Sequence, residues 1–551
     1  RVETDGRAPR VRRRRLSPVE ITSGMEAARV LAESVVGPKP KIEEEIEAVL
    51  GDNQVAKAVE NVAEAVLDAP VVTEGGVELP PSPPFSVSVN YLFVLAAVVL
   101  VVFICDRVMR AKVPKTIVTR EFKSFQRNYL NAYTCALGAE WLQDSHLFAL
   151  LLRHGHGVDQ VASLYVAGFV VAYLWGVLAD CVPGGAATLF GGGRSACIAC
   201  FACYGCAALT VFHDDYPTLL LGRAFYGTGT ALLHTVFDAW MVAEHMSQAF
   251  PDDWLMQTYQ EVGRYTTVVS IGSGVLAELS AASLGLTGPF LTSLTLCTTG
   301  SVLISRTWPK GNESCRGAMS GLTSGIAEML TSSADGVRNM AGLVQNHRGA
   351  AFLVVVQACF ETVMYIALFM WTPTLSASAQ ELFGIGTPPP YGLIFSLLMA
   401  CLMLGSLVFQ ILTSSLTDGQ GNPVPPSPHF LLRMNKAICA CAAVACMITA
   451  TMGMVNHWTG LGALLCFEFS VGMYYPAIGS LRGKFVPRES RGLVMHASKT
   501  LLAVLVLIML LNFASMASIV FMFCAMLLGV CWFCLYSAGG ELSAESATPL
   551  V

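Results

Sequence analysis

Beyond residue 85 the chain is a succession of apolar runs separated by short polar breaks, and the runs are about as long as a bilayer is thick. A helix needs about 20 mainly apolar residues to cross the hydrocarbon core. Runs of that kind fall at 86–105, 129–152, 160–180, 195–213, 217–245, 259–284, 287–306, 350–374, 389–413, 431–453, 458–479, 493–512 and 515–537. One leading run is followed by twelve. The only long interruption inside the twelve is the polar, Gly/Ser-rich stretch 307–349, which divides them six and six. The pattern predicts an all-α multi-pass membrane protein. Its parts are a leading transmembrane helix with its basic loop (86–128), a six-helix bundle (129–306), a central loop (307–349), a second six-helix bundle (350–537) and a short tail (538–551). Residues 1–85 differ. They run from Arg12–Arg15 through an Ala/Glu/Val stretch to Pro80–Pro84, and read as a disordered tail in which Lys41–Leu67 forms an exposed amphipathic helix. The tail does not open on Met, and its glutamates argue against a transit peptide.

Basic residues set the orientation. Arg107, Arg110, Lys112, Lys115, Arg120, Lys123 and Arg127 follow the leading run. Arg306, Lys310, Arg316, Arg338 and Arg348 flank or occupy the central stretch, and Arg482, Lys484, Arg488 and Arg491 cluster before the eleventh core run. With this span count all three groups fall on one face, and the opposite loops hold only Arg153 and the acidic turn His213–Tyr216. The basic face is expected to be cytoplasmic. Composition narrows the function further. Hydrophobic residues make up 54% of the chain and charged residues 13%, about half the charged share of a soluble protein. A net charge of −5 leaves no footprint for nucleic acid. Of the eighteen cysteines, Cys197, Cys200, Cys203 and Cys206 recur every third residue. Steps of three turn each one back by about 60° around a helix, so they read as small apolar fillers and no metal site is expected. The chain has no GxxxxGK[ST], HExxH or GxSxG pattern, which makes ATP-driven transport or hydrolysis the weakest class.

The chemistry lies in charges placed inside the runs. A charged side chain there costs roughly 2.5–3.5 kcal/mol on insertion scales and usually faces a bundle interior or a water-filled path. In Leu219–His245, the residues Arg223, Gly227, His234, Asp238 and His245 share one stripe about 60° wide. Arg223 reads as an anion contact and Asp238 as a gate or proton partner; a helix-locking ion-pair network is the other reading. About 22 Å of helix separates the two, so they cannot pair with each other. The first core run carries Asn131, Glu140 and Asp144. Glu140 and Asp144 lie one turn apart and are close enough to share a proton, unless Asp144 is simply solvated. The seventh carries Gln357, Glu361 and Tyr365 at i, i+4 spacing, the tenth Glu468 with Gly472 and Tyr475, and the eleventh Lys499 one turn after His496. Lys499 either contacts substrate or snorkels to the interface. Glu261 and Arg264 read as a structural ion pair.

Six plus six spans around a long loop suggest the major facilitator architecture. Gly176–Asp180 (GVLAD) with Arg194 resembles that superfamily's loop motif, over a longer intervening stretch, and Leu221–Ala231 (LGRAFYGTGTA) resembles its fourth-helix motif. A closer resemblance runs through Glu140–Gln143 (EWLQ), Asp238–Trp240, Glu244–His245, Phe360–Glu361, Trp371–Pro373, Gly392–Phe395, Gly405–Ser406, Gly472–Pro476, Leu481–Arg482 and Val486–Pro487. Together with Gly222–Arg223, these segments resemble the molybdate-anion transporter family, whose members also carry an extra leading span. The resemblance covers residues 86–537 and implies uptake of molybdate, with the oxyanion and the lipid bilayer as partners, the monomer as the functional unit and no cofactor.

A divalent oxyanion needs positive charge and donors, and the planar fork of arginine binds two oxygens at once. Arg223 and Lys499 come from different bundles. Since facilitator sites lie between the halves, the two cations form a clamp that closes when substrate bridges them. Asn131, Gln357 and Tyr365 would assist binding. Glu140, Asp144, Asp238, Glu361 and Glu468 would carry protons or gate. The alternatives are the same fold carrying sulfate, a sugar or an organic anion, and a non-transporting receptor or scaffold. The expected location is the cell membrane, with an organelle membrane left open by the tail.

Overall fold

The computed structural model describes residues 85–112, 118–181, 187, 190, 192–309, 348–383, 389–416, 424–486 and 491–545. The expected N-terminal tail, the central loop over 310–347, the last residues 546–551 and the side chain of Asp180 lie outside the described residues. Every regular element among the described residues is helical: α1 Phe85–Lys112, α2 Arg120–Arg153, α3 Val158–Cys181, α4 Gly193–Thr210, α5 Tyr216–Ser247, α6 Asp252–Leu284, α7 Gly288–Thr307, α8 Arg348–Phe383, α9 Tyr391–Ser414, α10 Pro428–Met452, α11 His457–Phe485, α12 Arg491–Phe513 and α13 Ala517–Glu545.

Local chemistry starts several of these helices. Thr119, Asp215, Ser427 and Asn456 each accept the backbone N–H three residues on, and so satisfy one of the four N–H groups a helix start leaves open. Eleven of the helices are long and apolar enough to cross a membrane; α2 and α5 fall short because of their polar residues. The helices also outrun the apolar runs. The helix α2 begins well before 129, α6 before 259, and α8 continues past 374. Hydropathy stops at the first charges, whereas backbone hydrogen bonding continues into water. Arg107, Arg110, Arg120, Lys123 and Arg127 therefore lie on α1 and α2, not in a long loop, and Arg110 pairs with Asp106 one turn away.

The helices α2–α7 pack chiefly on one another, as do α8–α13. Two seams join the sets, α3 on α12 and α6 on α9, with a lesser approach of α2 to α8 and α9. The second helix of each set thus meets the fifth of the other, as a pseudo-twofold arrangement requires. Glycines bring the backbones together. A Cβ at Gly227 (α5) would lie 2.2 Å from the carbonyl oxygen of Gly168 (α3), and one at Gly472 (α11) 1.8 Å from that of Leu402 (α9). The helix α1 lies against α9. Its Tyr91 hydroxyl bonds His457 at the start of α11, and Phe93, Leu100 and Phe103 point away from the protein. Arg120, Arg194, Arg306, Arg433 and Arg482 sit at one end of the bundle (the basic end), and of the described lysines and arginines only Arg153 marks the far end.

Candidate substrate site

Asp215 caps α5 at the far end, and Arg223 follows about two turns in, roughly 12 Å along the axis. The side chain is only 9% exposed. Its guanidinium carbon lies 4.1 Å from the centre of the Tyr226 ring and 4.9 Å from that of Tyr165 on α3. Gly168 makes the space: a Cβ there would stand 3.3 Å from Nε and Nη2. The Nε is buried with no hydrogen-bond partner, and no carboxylate among the described residues comes within ion-pair distance. Asp144 attracts the guanidinium only through space, because its Oδ2 accepts the Tyr226 hydroxyl at 2.6 Å. A cation is thus held by two π faces, which stabilise it without satisfying its donors.

The carboxylates of α2 are held apart. Glu140 Oε1 accepts the hydroxyls of Tyr204 (α4) and Thr230 (α5), each at 2.9 Å. Asp144 has its own tyrosine, so the one-turn spacing does not produce a shared hydrogen bond, nor is Asp144 merely solvated. Gln143 donates to Ser293 Oγ at 2.9 Å and tightens α2 against α7.

In the second set of helices, Gln357 Nε2 donates to Glu361 Oε1 at 2.9 Å, and its own Oε1 accepts Arg482 Nη1 at 3.3 Å. The amide of Gln357 is spent on this chain and is 4% exposed, which removes it from the residues open to a ligand. Arg482 and Lys499 both act on Glu361 through space. Lys499 is exposed, and the hydroxyl of the next residue, Thr500, meets that of Tyr173 (α3) at 2.9 Å. Tyr365 is 38% exposed with its ring edge-on to Phe169, centroids 5.0 Å apart. Glu468 is buried near Cys401 and Tyr475 and forms no hydrogen bond or ion pair among the described residues.

The helix α3 serves as a ruler across the junction. Gly168 touches Arg223, Phe169 touches Tyr365, and Tyr173 touches the residue beside Lys499. Gly168 and Tyr173 are five residues apart, about 7.5 Å of rise. Arg223, Tyr365 and Lys499 therefore stand at neighbouring levels along one seam, Arg223 on the first helix set and the other two on the second.

Other residues singled out from sequence lie elsewhere. Asn131 is exposed about 180° around α2 from Glu140, on the sector where Gly138 meets α6 and α7, and does not join the group. Asp238 is exposed toward the basic end beside Tyr259, and His245 is plugged into Phe122, Phe125 and Phe250 with its Nε2 on the Pro251 carbonyl at 3.1 Å. Arg194 donates to the Ser305 carbonyl at 2.8 Å, Gly193 sits under Trp240, and Gly176 has open space around it. Glu261 pairs with Arg264. Sequence reasoning gave no site role to Tyr226, Tyr204, His146 or Glu278, and took Arg482 as a loop charge and part of a family segment, not as a partner of Gln357. The one available signal was Glu278, which, unlike Glu261 with Arg264, has no cation near it in the run 259–284.

A family profile described as sugar transporters with twelve transmembrane segments matches residues 87–420. The molybdate-anion transporter of Danio rerio is 31% identical over 392 residues, covering 68% of this chain and 76% of that protein. Its namesake in Xenopus laevis is 28% identical over 379 residues, 68% and 76% of the two chains. Among solved structures, a POT family transporter crystallised with a thioalcohol-conjugated peptide aligns with a TM-score of 0.56 at 12% identity, over 77% of this chain and 96% of that one. The nucleoside transporter NupG aligns at 0.54 with 11% identity, over 75% and 99%. These two establish the fold alone, a major facilitator fold. By sequence, this chain belongs to the molybdate-anion transporter family of the major facilitator superfamily.

Proposed function

We propose that the protein carries molybdate across a membrane as a secondary transporter, by alternating access at the seam between α2–α7 and α8–α13. The observation that carries this reading is Arg223: a buried cation between two tyrosine rings, with an unpartnered Nε and its nearby carboxylate already taken by Tyr226. Leaving such a group unsatisfied costs about 1–3 kcal/mol or more for a charge, and an oxyanion supplies both the missing charge and the missing acceptors. The names of the curated relatives supply molybdate as the oxyanion.

Arg223 holds the anion from the first half and Lys499 closes on it from the second, with the Tyr365 hydroxyl between their levels. Glu361 is the counter-charge that Lys499 leaves when substrate arrives. The buried, unpaired Glu468 and the anchored Glu140 and Asp144 are the candidate proton carriers, and Asp238 gates the basic end. The basic end faces the cytoplasm, α1 is an additional span outside the twelve, and the cell membrane is the site of action. The family profile's description raises a neutral sugar as a second substrate class. Arg223 favours the anion, since a sugar brings no charge to a desolvated guanidinium.

Uptake of radiolabelled molybdate into molybdate-starved cells expressing the protein, with sulfate and a hexose as competitors, tests the reading. Saturable uptake that sulfate or unlabelled molybdate suppresses and the hexose leaves unchanged is expected. Absence of uptake by protein correctly placed in the membrane would favour a receptor on this fold.

A further inference from the structure

The second seam, α6 on α9, carries a group of polar residues that plays no part in the substrate site. The two backbones touch at a pair of glycines: a Cβ at Gly274 would lie 2.4 Å from the Gly392 carbonyl oxygen, and one at Gly392 2.3 Å from that of Gly274. One turn beyond Gly274, Glu278 Oε2 accepts the backbone N–H of Gly392 at 2.8 Å, in the first turn of α9. A carboxylate of the first helix set therefore caps a helix of the second, at the far end of the bundle. Charge-assisted capping of this kind is worth more than a neutral bond, because the open N–H groups and the helix dipole both favour negative charge.

The same Oε2 faces His146 Nε2 of α2 at 3.9 Å, too far for a hydrogen bond. Ser145 Oγ lies 3.2 Å from the Leu142 carbonyl, its acceptor, and 2.9 Å from His146 Nδ1. With the one hydroxyl hydrogen on that carbonyl, Nδ1–H donates to Ser145 and Nε2 presents a lone pair. In that tautomer two acceptors, a carboxylate oxygen and an imidazole nitrogen, look at each other with no proton between them. The imidazole is almost wholly buried, and the Glu278 side chain is 23% exposed and so within reach of far-end water. Tyr391 of α9 stands edge-on to the His146 ring, its hydroxyl tied to Ser376. Among the described residues no other titratable group faces the pair. On α2, Asp144 points about 160° away from His146, and α7 offers only Cys297 and Arg306, which lie further toward the basic end.

We propose that Glu278 and His146 form a proton-binding site that latches the far ends of the two halves. With the site empty, the carboxylate caps α9 and holds the halves together. A proton delivered from the far side bonds to Glu278 Oε2 and is donated to His146 Nε2. This neutralises the carboxylate, draws it toward α2 and releases the α9 amide. Acid on the far side therefore opens the far end, and loss of the proton closes it.

This inference rests on alternating access but not on the substrate, and the test uses no molybdate. Spin labels carried by non-canonical residues at the exposed positions Phe212 and Val455 leave the native cysteines untouched. Pulsed dipolar spectroscopy on the full chain in nanodiscs then reports the separation of the far ends at pH 7.5 and 5.5. The wild type is expected to gain a longer-distance population at least threefold on acidification. E278Q, which lacks the charge, should show the longer distance at both pH values. H146F, which lacks the acceptor, should keep the short distance at both, and E278D should retain the response. A wild type whose distances ignore pH would overturn the proposal, as would E278Q and H146F both responding like the wild type. Should E278Q fail to fold, H146F and E278D decide the matter alone. Failure of molybdate uptake with an intact pH response would instead count against the substrate reading.

Discussion

Alanine at Gly227 probes how the backbone seats Arg223. The new Cβ would lie 2.2 Å from the Gly168 carbonyl oxygen and 3.1 Å from the Ala172 nitrogen, both backbone atoms that no rotamer change can move. Ordinary contact begins at 3.4 Å, so α3 and α5 must part by about 1 Å at their crossing. Overpacking of this kind costs about 1–3 kcal/mol. The separation falls one turn from Arg223, beside the glycine under its guanidinium, and carries Tyr165 off with α3. Where function depends on oriented groups, a misplacement of about 1 Å can cost up to a hundredfold. Gly227→Ala should therefore lower the melting temperature of detergent-purified protein by a few degrees and cut uptake per surface molecule at least tenfold. Gly176→Ala, on the same α3 with nothing within 4 Å of its new Cβ, is the control and should match the wild type. A Gly227→Ala protein with unchanged melting and uptake would refute the argument.

Other substitutions separate the roles of the polar residues. Tyr226→Phe frees Asp144 from its 2.6 Å hydrogen bond to pair with Arg223; about 1.4 kcal/mol of new competition is a tenfold rise in apparent KM for molybdate, read from concentration-dependent uptake with the maximal rate preserved. Lys499→Gln should raise KM by a similar factor at normal surface expression, and an unchanged KM would remove Lys499 from the clamp. Glu140→Gln keeps an acceptor for Tyr204 and Thr230 and should retain folding, whereas Glu140→Ala removes it and leaves the two hydroxyls only their mutual 3.2 Å contact. The alanine variant should lose about 1–3 kcal/mol of stability, measured as a lower melting temperature than that of the glutamine variant.

The helical content was legible in the sequence because bilayer thickness imposes a length on every run; α2 and α5 showed as the runs 129–152 and 217–245 even though their polar residues depress hydropathy, and the one-sided basic loops agreed with counting them. Helix ends were less legible, since charges at 120–128 interrupt the apolar run without interrupting the helix. Arg223 stood out by the cost of a charge in hydrocarbon. Its surroundings did not, because helical spacing reveals which residues share a face and leaves open which helix lies opposite. Glu140 and Asp144 share a face yet answer to different tyrosines, contributed by α4 and α5. Gln357 reads as an open polar group until Arg482, 125 residues away, is seen to occupy it. Asn131 failed for a simpler reason: its rotation about α2 opposes that of Glu140.

The central claim is that Arg223 receives the anion, and molybdate uptake into proteoliposomes by the wild type, Arg223→Lys and Arg223→Ala tests it most directly. Lysine keeps the charge but not the two-pronged fork, so a graded loss is expected: weakened uptake for Arg223→Lys and none for Arg223→Ala, with both proteins reconstituting normally. Wild-type uptake by well-folded Arg223→Ala would contradict the account.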